Sequence, residues 1–394
     1  MAHLHADKPI IAGEFAMRIK TLSVQNFRSF GRFELKNLGR VNLLVGTNNC
    51  GKTTVLEAAN ILMANGDLTV IWSTLLRRGE DIYGERDPVN ASTGRQVDIR
   101  RLFRGHEIEV GKYFQLSADT DFGGVAMVAK IDEYRPAQQQ LFDAEPQAVE
   151  SSEDFLPPLS LSLHWPHGPG KELNIPISRR GGISSDAIRR NAGRFAVDEG
   201  FPMRFLTASS LTAEVISMLF EDIVLTPEED LVTEAMRIIE PSIERIASSG
   251  SERTRSNLRV STRGGILVRL KGNKDRVPIG SMGDSIWRML GLALSVVQSG
   301  NGILLVDEID TGLHHTVMED MWRFLYGCAK RYNVQIIATT HSWDCYHSLA
   351  VICRDYISDG SDVTISRIER DREEAVSYTE QEIVAVADRD IEVR

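Results

Sequence analysis

The sequence predicts an α/β fold, with a mixed sheet around a parallel core and a helical lobe over about residues 206–256. Three stretches carry that prediction. The short apolar run in "RVNLLVG", from Arg40, leads into "GTNNCGKT", Gly46 to Thr53, and then into a helix. "GILLVDEID" is a second apolar run and ends in acids; "VQIIATTHS" is a third and ends in a histidine. Between the last two, Met318, Met321, Trp322, Leu325, Tyr326 and Ala329 recur at helical spacing. Short, continuously apolar runs separated by an amphipathic helix are the pattern of buried parallel strands.

The other elements follow in chain order. "MRIKTLSVQNF" alternates as a strand from Met17, which is also a candidate natural start, with residues 1–16 a loose extension. A helix is expected from about Gly51 to Asn65, then strand-like runs to about Val128. Glu133 to Pro158 is rich in Gln, Pro, Ser and acids, and reads as a flexible insertion. "LSLSLHW" and "FPMRFLTASS" are further strands. Thr226, Pro227 and Glu229 give a cap, a first-turn proline and a capping-box acid; that helix breaks at Pro241, where a second is expected to begin. Two strands are expected at about 257–271. In "IGSMGDSIWRMLGLALSV", a glycine-bearing turn precedes a helix with Ile286, Met289, Leu290, Ala293, Leu294 and Val297 on one face. The domain reading is a 1–16 extension, a 17–132 segment carrying the phosphate loop, a 133–158 insertion, a 159–256 strand segment with the helical lobe, and a 257–394 segment completing the head.

Composition narrows the function classes. A net charge of -10 draws the chain to nucleic acid only through local basic patches. No apolar run is long enough to span a membrane and no signal peptide is visible, so a cytoplasmic place is expected. Cys50, Cys328, Cys345 and Cys353 form no CxxC pair or metal cluster and read as reduced thiols.

The chemistry sits at strand ends. Gly46, Thr47, Asn48, Asn49, Cys50, Gly51, Lys52 and Thr53 fit G-x-x-x-x-G-K-[ST] between a strand and a helix, with Thr54 next. Backbone N–H groups of such a loop cradle phosphates, Lys52 reaches the terminal ones, and Thr53 can ligate magnesium. Asp307 at the end of a buried strand can hold the same magnesium, and Glu308 can orient or deprotonate the attacking water. His341 can hydrogen-bond the terminal phosphate or the water. The turn at Ser281 and Gly283 would be a second anion-binding helix start, unless Ser281 only caps its helix.

The order of "LSVQNFRSF", "LLVGTNNCGKTTVLEA", "SMGDSIWRMLGLALSV", "GILLVDEIDTGLHHTVMEDMW" and "QIIATTHSWD" resembles ATP-binding-cassette heads of the chromosome-maintenance type, as in the RecF and OLD families. The resemblance implies ATP and Mg2+ as cofactors and a homodimer, or higher homo-oligomer, that sandwiches ATP between heads. In it Ser281 and Gly283 belong to the signature turn offered to the neighbour's nucleotide, although Asp284 departs from the usual LSGGQ-like pattern. Arg28 matches a basic residue that approaches the nucleotide, and Asp310 matches the loop that crosses the dimer interface. Gln96 and Gln115 are candidates for the glutamine loop. The OLD-like resemblance implies a role in bacterial defence against phage or in handling foreign DNA. No toprim nuclease domain is seen after the head, so the effector, a nuclease or toxin, is expected on another chain. DNA is a candidate partner through Arg179, Arg180, Arg189, Arg190 and Arg194, and through a second run from Glu252 to Arg276 with eight basic residues against two acids. The competing readings are a RecF-like repair ATPase and a nucleotide-gated scaffold.

Overall fold

The computed structural model describes residues 18–82, 95–134, 159–165, 172–178, 180–191, 202–248, 265–355 and 362–389. The 1–16 extension, nearly all of the 133–158 insertion, Arg179, Arg194 and the basic run before Gly265 lie outside them. The chain forms two compact units that interleave in sequence: residues 1–20, 36–56 and 201–394 make the first, and 21–35 and 57–200 the second. This division cuts across the sequential segments expected above, because the first unit's central strand comes from near the N-terminus and its other strands from the C-terminal half.

Strands β1 (Ile19–Phe27) and β2 (Phe30–Leu35) open the chain, and β3 (Val41–Val45) follows. Helix α1 (Lys52–Met63) begins directly after the phosphate loop. The second unit then continues through α2 (Leu68–Arg77), β4 (Asp81–Ile82), β5 (Gln96–Asp98), β6 (Tyr113–Thr120), β7 (Gly123–Glu133), β8 (Leu159–His164), β9 (Glu172–Ile177), β10 (Gly182–Ser184) and α3 (Ser185–Asn191). Its larger sheet runs β2-β1-β6-β7-β8-β9 and its smaller one β10-β5-β4. Phe27, Phe103 and Phe114 pack ring to ring in its core, with Phe114 centred 5.1 Å from each of the other two.

The first unit continues with β11 (Met203–Leu206), α4 (Ala213–Glu221), α5 (Pro227–Ile239), β12 (Ile243–Ser248), β13 (Ile266–Leu270), β14 (Arg276–Pro278) and α6 (Asp284–Val297). It ends with β15 (Ile303–Val306), α7 (His315–Arg331), β16 (Gln335–Thr339), α8 (Trp343–Asp355), β17 (Val363–Arg367), β18 (Val376–Tyr378) and α9 (Glu380–Ala387). Its main sheet has the order β11-β15-β16-β3-β17-β18. Every pairing is parallel except that of β18 with β17. This is the mixed sheet around a parallel core that the sequence predicts. β3, β15 and β16 are buried at every position, as strands covered on both faces must be. Asn42, inside β3, is satisfied by Gly39, Ile336 and Thr364.

The helices expected within about 206–256 are α4 and α5: Ile216, Leu219 and Phe220 of α4, and Val232, Ala235 and Met236 of α5, are buried in one core with Trp287 and Met289 of α6. One expectation is corrected: no helix begins at Pro241. A turn leads into β12, which pairs with β13 and shifts register between Ile243 and Arg245. That bulge puts Ile243 and Ile246, three residues apart, on one buried face, so a strand imitates helical spacing. The start of α5 is as expected in part: Pro227 opens it, but Glu229 accepts from the Leu225 N–H at 2.8 Å, while Thr226 makes no side-chain cap.

Candidate nucleotide-hydrolysis site

The register of the parallel strands gathers the chemistry at one edge. Ala338 stands opposite Val306 and Leu43, and the Thr340 N–H donates to the Leu44 carbonyl at 3.1 Å. The phosphate loop, the acid pair and the residues before His341 therefore leave adjacent strands at their C-terminal ends, where open α/β sheets bind ligands.

The loop's shape follows from its glycines. Gly46 has φ +145°, and a Cβ there would lie 2.5 Å from the Ile368 carbonyl oxygen and 2.8 Å from the Cys50 sulfur. Asn49 and Gly51 also take positive φ, which curls the loop ahead of α1. Thr47, Asn48 and Asn49 are exposed, whereas Cys50 and Lys52 are buried. The Lys52 ammonium donates to the Gly46 and Thr47 carbonyls at 2.7 and 3.0 Å, lying back along its own loop. Thr54, which follows in α1, is buried.

Thr53 Oγ1 donates to the two carboxylate oxygens of Asp307, at 3.0 and 3.1 Å. A hydroxyl and a carboxylate brought this close are hard oxygen donors of the kind magnesium takes, so the pair fits the ion the motif implies. Asp307 is held a second time, by the Thr339 hydroxyl at 2.7 Å. The same Thr339 oxygen accepts from the Glu308 N–H at 2.8 Å. Glu308 has φ +47°, in the left-handed region that a side-chain-bearing residue rarely adopts, and its side chain is exposed. Thr311 Oγ1 donates to Glu308 Oε2 at 3.2 Å. Thr340 Oγ1 donates to Asp310 Oδ1 at 2.7 Å, and His341 follows at the exposed edge.

Sequence reasoning did not single out Thr339 or Arg288. Arg288 lies on α6, 4 % exposed, and Nη2 donates to the carbonyls of Asp307 and Glu308 at 3.0 and 2.7 Å. Burial pushes its pKa down to about 10, against the pull of Asp310, Asp307 and Glu308. The signals were a threonine two residues before His341, at the end of the apolar run, and a lone arginine within an apolar helix.

The predicted signature turn is elsewhere on the same unit. Ser281 lies in a short 3₁₀ turn, and Gly283, with φ +96°, is the N-cap of α6, which has no side-chain cap. Ser281 therefore does not cap the helix. Ser281, Gly283 and Asp284 are exposed, and a Cβ at Gly283 would meet open space. Ser285 Oγ donates to the Gly312 carbonyl at 2.5 Å, tying this turn to the loop that carries Asp310. Among the described residues, no hydrogen bond joins Ser281 or Gly283 to the chain's own phosphate loop.

Arg28 is placed differently from the resemblance. Within the second unit it is buried, with Nε 2.8 Å from Glu57 Oε2 and its two terminal nitrogens donating to Glu80 at 2.8 and 3.0 Å. Its guanidinium is committed to two carboxylates and would have to leave them to meet a phosphate. Gln96 and Gln115 lie on β5 and β6 of the second unit. Arg180, Arg189 and Arg190 belong to that unit too, whereas Arg269 of the other basic run pairs with Glu244 at 2.7 Å. No described group of three or more His, Cys, Asp or Glu residues could hold a metal by itself, and no described helix is long and apolar enough to cross a membrane.

Thr339→Val tests the double role of that hydroxyl. The change keeps shape and removes both hydrogen bonds. It is expected to lower kcat about tenfold while shifting nucleotide affinity little, the loss of one or two hydrogen bonds at the acid pair. Steady-state phosphate release against ATP concentration measures both.

Two family models match the chain at the segments that build this site. Residues 17–130 match "AAA ATPase domain", and residues 201–343 match "AAA domain, putative AbiEii toxin, Type IV TA system". Among curated proteins, an ATP/GTP phosphatase of Helicobacter pylori is 20% identical over 352 residues, covering 86% of this chain and 89% of that protein. The DNA replication and repair protein RecF of Clostridioides difficile is 44% identical over 46 residues, 12% of each chain. Among solved structures, the SMC head domain from Thermotoga maritima aligns with TM-score 0.42 and 13% identity over 92% of this chain and 98% of that one. Both family descriptions name an AAA or ATPase domain, and they fall on the two segments that carry the phosphate loop and the acid pair, the parts of a P-loop ATPase.

Proposed function

We propose that the chain hydrolyses ATP between two copies of itself, and that it is the cytoplasmic sensor or regulatory ATPase of a bacterial anti-phage system whose nuclease or toxin is a separate protein. The observation that carries the two-copy reading is the outward, uncapped turn at Ser281 and Gly283. Its exposed hydroxyl and the helix start behind it are the kind of site an anion takes, and the chain already has a complete phosphate loop of its own. A neighbour's terminal phosphate is the ligand that fits.

In this reading Lys52 and the loop N–H groups hold the phosphates. Thr53 and Asp307 would hold magnesium, which when bound draws negative charge from the terminal phosphate. Glu308 accepts the proton of the attacking water as its oxygen bonds to phosphorus and the bridging P–O bond breaks, while His341 orients the water or the terminal phosphate. Asp310, fixed by Thr340, faces the neighbour. The name of the Helicobacter pylori relative supports phosphate release, and the mention of a toxin system in the second family description supports a defence setting. The short RecF match keeps a repair ATPase as the second reading.

The test is turnover by the purified chain. It is expected to release phosphate from ATP with magnesium, at a rate indifferent to added DNA, and to leave DNA and RNA uncut. Turnover stimulated by DNA favours the repair reading, and nucleotide binding without turnover favours the scaffold.

A further inference from the structure

α6 connects two places that the proposed reaction keeps apart. It starts at the turn offered to the neighbour, and one turn later it carries Arg288 into the first unit's core. There, among the described residues, the guanidinium pairs with no carboxylate at hydrogen-bond distance. It donates from Nη2 to two successive carbonyls, those of Asp307 and Glu308. Its Nε and Nη1 are buried and find no hydrogen-bond partner among the described residues. An arginine so deeply buried is costly to keep for packing alone, since a methionine would fill the space without stranded donors. The carbonyls it grips belong to the two peptides on either side of the Glu308 Cα, where the backbone turns left-handed. Across the same strand end, Thr339 grips the Glu308 N–H. The peptide between Asp307 and Glu308 is thus held from both sides in a conformation it would otherwise relax.

We propose that Arg288 is a positioning residue that fixes the strained Glu308 backbone of its own chain, so that the helix touching the neighbour's nucleotide also sets the acid acting on its own. This rests on the two-copy reading for the coupling, but not for the positioning.

Arg288→Met is expected to lower kcat at least tenfold with KM within about threefold, because binding groups stay and only the acid's placement is lost. Arg288→Lys, with one cation able to reach one carbonyl, should fall between. A raised KM with unchanged kcat, or loss of binding of a fluorescent ATP analogue, overturns the proposal. Mixing separates this from damage to the signature helix. With Gly283→Arg as partner, the mixed dimer has one site whose loop and acids are intact and whose turn comes from the Arg288→Met chain. That mixture should recover about a quarter of normal activity, since half the dimers are mixed and each has one good site. With Lys52→Ala as partner it should recover nothing, because the only intact loop sits beside the misplaced Glu308. Recovery with Lys52→Ala, or failure with Gly283→Arg, overturns the own-chain role. If Lys52→Ala and Gly283→Arg also fail to rescue each other, the two-copy reading has failed, and the kcat and KM split alone decides on Arg288.

Discussion

Replacing Glu308 with glutamine is expected to leave ATP bound and to slow its hydrolysis by about 10²–10⁴-fold, the usual contribution of a general base. The geometry makes the change clean. Asp307 keeps its bonds to Thr53 and Thr339, and the Glu308 N–H keeps Thr339. Glutamine has nearly the same shape and can still accept from Thr311. Only the capacity to take a proton goes. The variant should therefore collect as an ATP-bound assembly, seen as an ATP-dependent rise in mass by light scattering. Turnover near the normal rate removes Glu308 from the mechanism.

Lys52→Ala carries the other large effect. The ammonium now lies on the Gly46 and Thr47 carbonyls, and in the nucleotide complex it is the loop's one mobile charge for phosphate. A charge-assisted hydrogen bond contributes about 1.5–3 kcal/mol, so nucleotide binding should weaken by about 10- to 100-fold. Without nucleotide the variant should melt a few degrees lower, because water can serve the exposed Thr47 carbonyl but the buried Gly46 carbonyl loses its donor. The stabilisation that ATP and magnesium give the normal chain should shrink accordingly. An undiminished thermal shift contradicts the assignment.

Much of this was legible in the residues, for physical reasons. The phosphate loop, the acid pair and the strand before His341 are local: each is an apolar run followed at once by its polar groups, and burial of the run decides where those groups emerge. Pro241 misled because the bulge between Ile243 and Arg245 gives a strand the three-residue spacing of a helix. The interleaved units were hidden because β3 comes from residues 41–45 and its partner strands from beyond residue 334, and pairing across such separation leaves no mark in either stretch. Arg28 shows the limit of a motif: its place in "NFRSF" says that a cation is there, but only the fold shows Glu57 and Glu80 closing on it. Thr339 and Arg288 were missed because their work is done on backbone groups, which every residue has. For Ser281 the fold removes only the capping alternative, because Gly283 and not Ser281 occupies the N-cap of α6.

The central claim is that each chain completes its neighbour's site, and the most direct measurement is ATP hydrolysis by an equal mixture of Lys52→Ala and Gly283→Arg. Each variant alone should be inactive: one has lost its hold on phosphate, and the other carries a bulky side chain at an exposed turn whose φ of +96° suits glycine. In a mixed dimer one site collects both lesions and the other has neither. If chains exchange freely and sites act independently, the mixture should regain about a quarter of normal activity. Pull-down through a tag on one variant should recover both, and a tagged normal chain paired with Lys52→Ala shows whether a single intact site turns over. No recovery, with mixed dimers present and a single site able to fire, would contradict the account and return the Ser281–Gly283 turn to its own chain.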